Sequence, residues 1–116
     1  MKTYTARHRF ARMTARKGRY VIDLVRGLPV NDAMHVLEAS PRRAAFMIRK
    51  VLRSAIANAS QDPEVNVNRL RIQQALVDDG PLLQGRLRWR PGPQGRAMPF
   101  RKRTCHITLV VGEEEE

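Results

Sequence analysis

From Thr3 to Met13 two parities alternate, with Tyr4, Ala6, His8 and Phe10 on one and Thr5, Arg7, Arg9 and Ala11 on the other. A period of two predicts a strand that packs the first set and turns Arg7 and Arg9 outward. The period then changes. Thr14 reads as an N-cap, and Val21, Leu24, Val25 and Leu28 follow at i, i+3, i+4 and i+7, the stripe of an amphipathic helix that Gly27 and Pro29 end. A shorter helix is expected over 31–39, with Ala33, Val36 and Leu37 inward. Ser40-Pro41 reads as an N-cap with proline at the first helical position. It opens the longest periodic run, Ala44, Met47, Ile48, Val51, Leu52, Ala55, Ile56 and Ala59, which predicts the core helix. At about 100° per residue, Arg42, Arg49 and Arg53 gather on its opposite side, either as a solvated face or as an RNA contact.

Gln61-Asp62-Pro63-Glu64 breaks that helix, and a polar link to Asn68 leads into two strands. In the first, Leu70 and Ile72 share a face while Ala75 and Val77 fall on the other parity, which fits a bulge near Gln73-Gln74 or a strand buried on both sides. In the second, Cys105, Ile107, Leu109 and Val111 alternate with Thr104, His106, Thr108 and Val110. Strand, three helices and hairpin, in that order, predict an α+β fold. It has a three-stranded antiparallel sheet, three helices on one face and a long protruding β-hairpin. A single domain is expected over 1–116, with an extended hairpin arm over 80–100 and an acidic tail over 113–116.

The arm is too long to be a turn. Between Gly80 and Cys105 its charged residues are Arg86, Arg88, Arg90, Arg96, Arg101, Lys102 and Arg103, with no Asp or Glu among them. A segment that repels itself and has few apolar residues is expected to take its shape against a polyanion. At roughly 3.3 Å per residue, Gly80 to Trp89 reaches about 30 Å when extended.

Charge narrows the partner. The 116 residues carry 22 Lys and Arg against 11 acids, and four of those acids are the terminal Glu113 to Glu116, so the rest of the chain is more basic still. Nucleic acid is the leading partner for such a balance. Only Lys2, Lys17, Lys50 and Lys102 are lysines, and the arginine bias favours bidentate phosphate contacts and stacking. An acidic membrane surface fits less well. No apolar run approaches the roughly 20 residues that span a bilayer, and Met1-Lys2-Thr3-Tyr4 lacks the apolar core of a signal peptide, so a soluble intracellular protein is expected. Cys105 is the single cysteine, which excludes an internal disulfide and a cysteine-based zinc site.

Catalytic chemistry finds no support in these residues. Cys105 and His106 are neighbours on a strand and point to opposite faces, so they cannot pair as nucleophile and base. His8 and His35 have no ligand-spaced partner, and Asp78-Asp79 before Gly80-Pro81 read as turn residues or neighbours of a basic strand. The glycines at 85, 92 and 95 lie in a hairpin tip, away from any helix start, so no phosphate loop of Walker type is formed. No enzyme, cofactor, metal or small-molecule substrate is expected.

Several blocks in order resemble the bacterial ribosomal large-subunit protein twenty-two family. They are Arg16-Lys17 leading to Asp23-Leu24-Val25-Arg26-Gly27, then Lys50-Val51-Leu52-Arg53-Ser54-Ala55-Ile56-Ala57-Asn58-Ala59, then Val77-Asp78-Asp79-Gly80-Pro81, then Gln94-Gly95-Arg96-Ala97, and last Arg101-Lys102-Arg103-Thr104-Cys105-His106-Ile107-Thr108. The resemblance covers nearly the whole chain. It implies binding to 23S ribosomal RNA during subunit assembly, a hairpin that lines the nascent-peptide exit tunnel, and a place in the cytoplasm within the large ribosomal subunit. Its implied partners are that RNA, neighbouring large-subunit proteins and the nascent peptide. The chain departs from the family at Thr14-Ala15, where Ser-Pro is usual, at Cys105, where Ser is usual, and between Pro81 and Gly95, where it is longer and carries Trp89 and Pro91-Gly92-Pro93.

Candidate RNA-binding residues fall in two acid-free stretches. One is Arg7, Arg9, Arg12, Arg16, Lys17 and Arg19; the other is Arg86, Arg88, Arg90, Arg96, Arg101, Lys102 and Arg103. The tip that would line the tunnel is Arg88, Trp89, Arg90, Pro91, Gly92 and Pro93. There the lone tryptophan, flanked by arginines, is placed to stack on an unpaired base. The competing class is a free nucleic-acid regulator, with Ala39-Ser40-Pro41 as the turn of a helix-turn-helix. Ala44, Ala45, Phe46 and Met47 after that turn suit packing better than base reading.

Overall fold

A computed structural model describes residues 2–82, 88–91, 95, 97–100 and 103–113, with the backbone alone described for 88–91 and 97–100. The elements in chain order are β1 (Thr3–Ala11), α1 (Ala15–Val25), α2 (Val30–Ala39), α3 (Arg43–Ser60), a 3-10 turn (Val67–Arg69), β2 (Leu70–Leu82), β3 (Arg88–Pro91), β4 (Ala97–Phe100) and β5 (Arg103–Glu113). An antiparallel three-stranded sheet runs β1-β5-β2, and β3 pairs with β4. The three helices cover one face, with α3 against β1 and β5, α1 against β2, and α2 against α3.

The most regular alternation in the sequence takes the centre of the sheet. Cys105, Ile107, Leu109 and Val111 of β5 are all fully buried. Across the ladder they meet Val77, Ala75 and Ile72 of β2 and Ala6 of β1, so one face of all three strands is apolar. Ile22, Leu37, Ile48 and Leu52 close over it from the helices. Burying each large aliphatic side chain contributes about 1.5–3 kcal/mol, and this face supplies most of the fold's stability.

The parity change in β2 is a bulge. Ile72 faces Val111 and Gln74 faces Val110, so one extra residue on β2 carries Ala75 and Val77 back to the buried face. Pairing runs out to Leu82↔Arg103, and Arg88↔Phe100 opens the ladder between β3 and β4. The molecule measures 65 × 26 × 17 Å with a radius of gyration of 17.3 Å, against about 13 Å for a compact chain of this length, as fits a long hairpin.

Some expectations need correction. The first strand stops at Ala11, and its alternation fails two residues earlier: a register shift between His8 and Ala11 buries Ala11 and leaves Phe10 58 % exposed. Thr14 does cap α1, its Oγ1 accepting from the Lys17 N–H at 3.4 Å. In that helix Leu24 is exposed and Ile22 is buried, so the inward stripe is Ala15, Gly18, Val21, Ile22 and Val25. Sequence spacing fits either stripe, and the flanking positions of β2 and α3 select the one with Ile22. Leu28 lies past the helix end, which Gly27 makes at a φ of +79 that other residues rarely adopt. Ser40-Pro41 is not the cap of α3: the N-cap is Arg42, and Ser40 Oγ accepts from the Arg42 N–H at 3.3 Å, a local turn that holds Pro41 outside the helix. Arg42 therefore precedes the helix and does not share a helical face with Arg49 and Arg53.

Candidate nucleic-acid interface

Three segments far apart in sequence meet around one open cleft of about 680 Å³. The link from β1 into α1 contributes Arg12, Met13, Thr14, Lys17 and Tyr20, the start of α3 contributes Arg42, Arg43 and Ala44, and β5 contributes Arg103. Five of these nine residues are cationic and none is acidic. All five cations are exposed, so their charge is available to a ligand at little desolvation cost.

Helix ends sharpen the positive potential. Both α1 and α3 open on the cleft, and neither has an acid in its first turn. In α3 the N-cap Arg42 makes no side-chain cap, so the free N–H groups of the first turn and two guanidiniums share one place. Like charge at the positive end of a helix destabilises it. A phosphate seated there would satisfy the helix end and the arginines together.

Around this centre the predicted cluster divides. Arg7, Arg9, Arg12, Arg16, Lys17 and Arg103 are exposed, and of these Arg12, Lys17 and Arg103 line the cleft. Arg16 Nε donates to Tyr20 Oη at 3.2 Å, and its guanidinium lies 5.9 Å from the Tyr20 ring. Arg19 serves the fold as well, since its Nε donates to the Val77 carbonyl at 3.2 Å on the outer edge of β2, although half its side chain remains in solvent. Arg26 does the same at the Ala75 carbonyl, 2.7 Å away, so α1 covers an otherwise open strand edge. Arg86, Arg96, Arg101, Lys102, Gly92 and Pro93 lie outside the described residues, as do the side chains of Arg88, Trp89, Arg90 and Pro91.

Arg42, expected beside Arg49 and Arg53 as a solvated face or an RNA contact, instead lines the cleft together with Arg43, to which the sequence assigned no such role. The signal was present: two arginines directly before an apolar helical run, with no acid in the turn that follows, is the reverse of what a helix start prefers. A second cationic group lies further along α3. Phe46, about half exposed, has Lys50 Nζ 4.5 Å and the Arg49 guanidinium 5.4 Å from its ring centre.

The foot of the arm is closely packed. Thr104, buried, donates its hydroxyl to the Pro81 carbonyl at 2.5 Å. A side chain at Gly80 would reach 2.5 Å from Thr104 Oγ1 and 3.3 Å from the His106 ring, so only glycine lets the two strands close there. His106 Nδ1 accepts from the Phe10 N–H at 3.0 Å, which ties the foot of the arm to β1. Neighbouring Cys105 points into the core, where burial pushes its thiol pKa up and Asp79 adds to the shift. That keeps the thiol protonated and inert.

At the far end of α3, Asp62 gathers the start of the chain. Its carboxylate accepts from Tyr4 Oη at 2.8 Å and from Lys2 Nζ at 3.3 Å, and the Glu64 N–H bonds it at 3.0 Å. The backbone bond from Glu64, then the bond from Tyr4, hold its pKa below the ordinary carboxylate value. This end of β1 is thereby tied to the body, and the arginines of β1 project from a fixed strand. Glu113 closes β5, and its Oε1 accepts from the Asn66 N–H at 3.0 Å.

A helix-turn-helix reading does not suit this geometry. Ala44, Ala45, Ile48, Val51, Leu52, Ala55 and Ala59 of α3 are buried against the sheet and α2, so the helix that would read bases is the core helix. A family model described as ribosomal protein L22p/L17e matches residues 6–112.

Proposed function

Since the chain belongs to the ribosomal protein L22p/L17e family, and is thus a structural, non-enzymatic constituent of the large ribosomal subunit in the cytoplasm, we propose that it binds 23S ribosomal RNA during assembly and that its hairpin lines the nascent-peptide exit tunnel. The observation that carries the RNA reading is the acid-free cleft, where Arg12, Lys17, Arg42, Arg43 and Arg103 converge with two helix N-termini. A folded RNA backbone supplies closely spaced phosphates that match such a convergence. Arg7, Arg9 and Arg16 extend the contact from β1 and α1, and Arg86, Arg88, Arg90, Arg96, Arg101 and Lys102 extend it along the arm. Neighbouring large-subunit proteins complete its surroundings.

In this reading the domain over 1–116 anchors an arm over 80–100 that orders on RNA, and 113–116 forms an acidic end. The arm's tip, Arg88, Trp89, Arg90, Pro91, Gly92 and Pro93, stands in the tunnel wall, the prolines keeping the turn narrow enough for a peptide to pass. The test is a salt titration of binding to 23S ribosomal RNA. Five cleft contacts at roughly −0.7 each give a slope of log affinity on log salt near −3.5, and about eight phosphates neutralised in all, the rest by the other arginines, bring it near −6. Binding that hardly responds to salt would refute the phosphate-led reading, and absence from large subunits washed in high salt would refute the assembly role.

A further inference from the structure

Outside the cleft, Phe10 is a residue that the fold alone does not explain. His8 pairs with Ile107 and Ala11 with Cys105, which leaves one more residue on β1 than on β5 and makes a β-bulge. Phe10 occupies it at a φ of 59, the one non-glycine residue at positive φ among the described residues. Glycine is the usual occupant of such a position, because a Cβ there crowds the carbonyl oxygen. A phenyl ring at a strained site would be expected to gain burial in return, yet this one is 58 % exposed. Strain held at an exposed side chain points to use by a ligand.

The surroundings specify the ligand's chemistry. The Phe10 N–H donates to His106 Nδ1 at 3.0 Å, and the two rings meet edge to face with centroids 4.9 Å apart and planes at 89°. His106 thus braces the bulge and fixes the phenyl's orientation while leaving most of it in solvent. Exposed Arg7, Arg9 and Arg12 stand on both sides in sequence, and no acid occurs in the chain before Asp23. An exposed aromatic ring among arginines, with no acid near it in sequence, is the pattern that holds a base between two phosphates.

We propose that Phe10 is a stacking platform for an unpaired base of ribosomal RNA, turned outward by the β1 bulge and flanked by Arg9 and Arg12 on the adjoining phosphates. The site rests on the RNA-binding reading above and adds to it one stacked base at the edge of the basic cleft, where Arg12 serves both. Nothing in it depends on the arm.

The experiment compares wild type, Phe10→Gly and Phe10→Trp for binding to naked 23S ribosomal RNA at fixed salt, with Tm measured for each and base reactivity mapped on the bound RNA. Glycine accepts a φ of 59, so Phe10→Gly should keep or raise Tm while weakening binding roughly 5- to 150-fold, the range of one lost base stack. Its salt slope should match wild type, since no phosphate contact is removed. Phe10→Trp should retain affinity, and one short RNA segment should gain base reactivity only in the glycine variant. Unchanged affinity in Phe10→Gly, or a loss accompanied by a fall in Tm, would overturn the proposal. So would unchanged affinity for naked RNA with impaired subunit assembly, which would assign the ring to a neighbouring protein. Failure of wild type itself to bind RNA would instead overturn the RNA reading on which the site rests.

Discussion

Replacing Arg42 with Ser and Arg43 with Gln should make the protein more stable and a poorer RNA binder. Arg42 already has the extended backbone of an N-cap, φ −73 and ψ 141, but makes no side-chain cap. A serine there can accept from the first-turn N–H groups, worth about 1 kcal/mol. Removing a cation from the positive end of α3 adds about 0.5 kcal/mol at low ionic strength. The sum of about 1.5 kcal/mol raises Tm by at least about 5 °C for a domain of this size. Two of the five cleft cations are gone, so the salt slope of RNA binding should become shallower by about 1.4. Thermal unfolding followed by circular dichroism at low and moderate salt measures the first effect, and filter binding across salt concentrations the second. The stability gain should shrink as salt screens the dipole contribution, while the part due to the serine cap remains. A fall in Tm would show that the two arginines hold the fold together. An unchanged slope would show that the cleft is not where phosphate binds.

Two other outcomes follow from the geometry. Asp62 has a lowered pKa in the folded chain, so the unfolded chain binds more protons near the ordinary carboxylate value and stability rises with pH there. The contribution is complete above about pH 4 and disappears as pH falls through the lower folded value; Asp62→Asn should flatten that part of the acid-unfolding curve, and an identical curve would remove Asp62 as its cause. Trp89→Ala should leave subunit assembly nearly intact, because the cleft still binds, but should alter the chemical reactivity of tunnel-wall nucleotides and the passage of stalling peptides. Assembly that collapses while those reactivities stay the same would place Trp89 in the fold.

Where α1 covers the edge of β2, the bonds from Arg19 and Arg26 to the Val77 and Ala75 carbonyls show how poorly charge alone reports role. In sequence Arg19 is indistinguishable from Lys17, yet one reaches a strand edge and the other lines the cleft. Both lie on the same helix two residues apart, which at about 100° per residue turns them to different sides. The direction of each side is set by what α1 packs against.

Local physics is legible in the chain by itself. The period of two in Cys105 to Val111 and the period near 3.6 in Ala44 to Ala59 predict the central strand and core helix, because one buried face requires that spacing. Thr14 as a cap and Gly27 as a stop are likewise decided by a few neighbouring residues. Tertiary structure decided what those periods leave degenerate. It chose Ile22 over Leu24 for the core, resolved the parity change of β2 as a bulge, and turned Phe10 out where a plain strand would have turned it in. It also made the cleft, since Arg12, Lys17, Arg42, Arg43 and Arg103 come together only when α1 and α3 pack on the same sheet. Sequence spacing fixes which residues share a face of one element; which faces of different elements meet depends on how the whole apolar surface is buried at once.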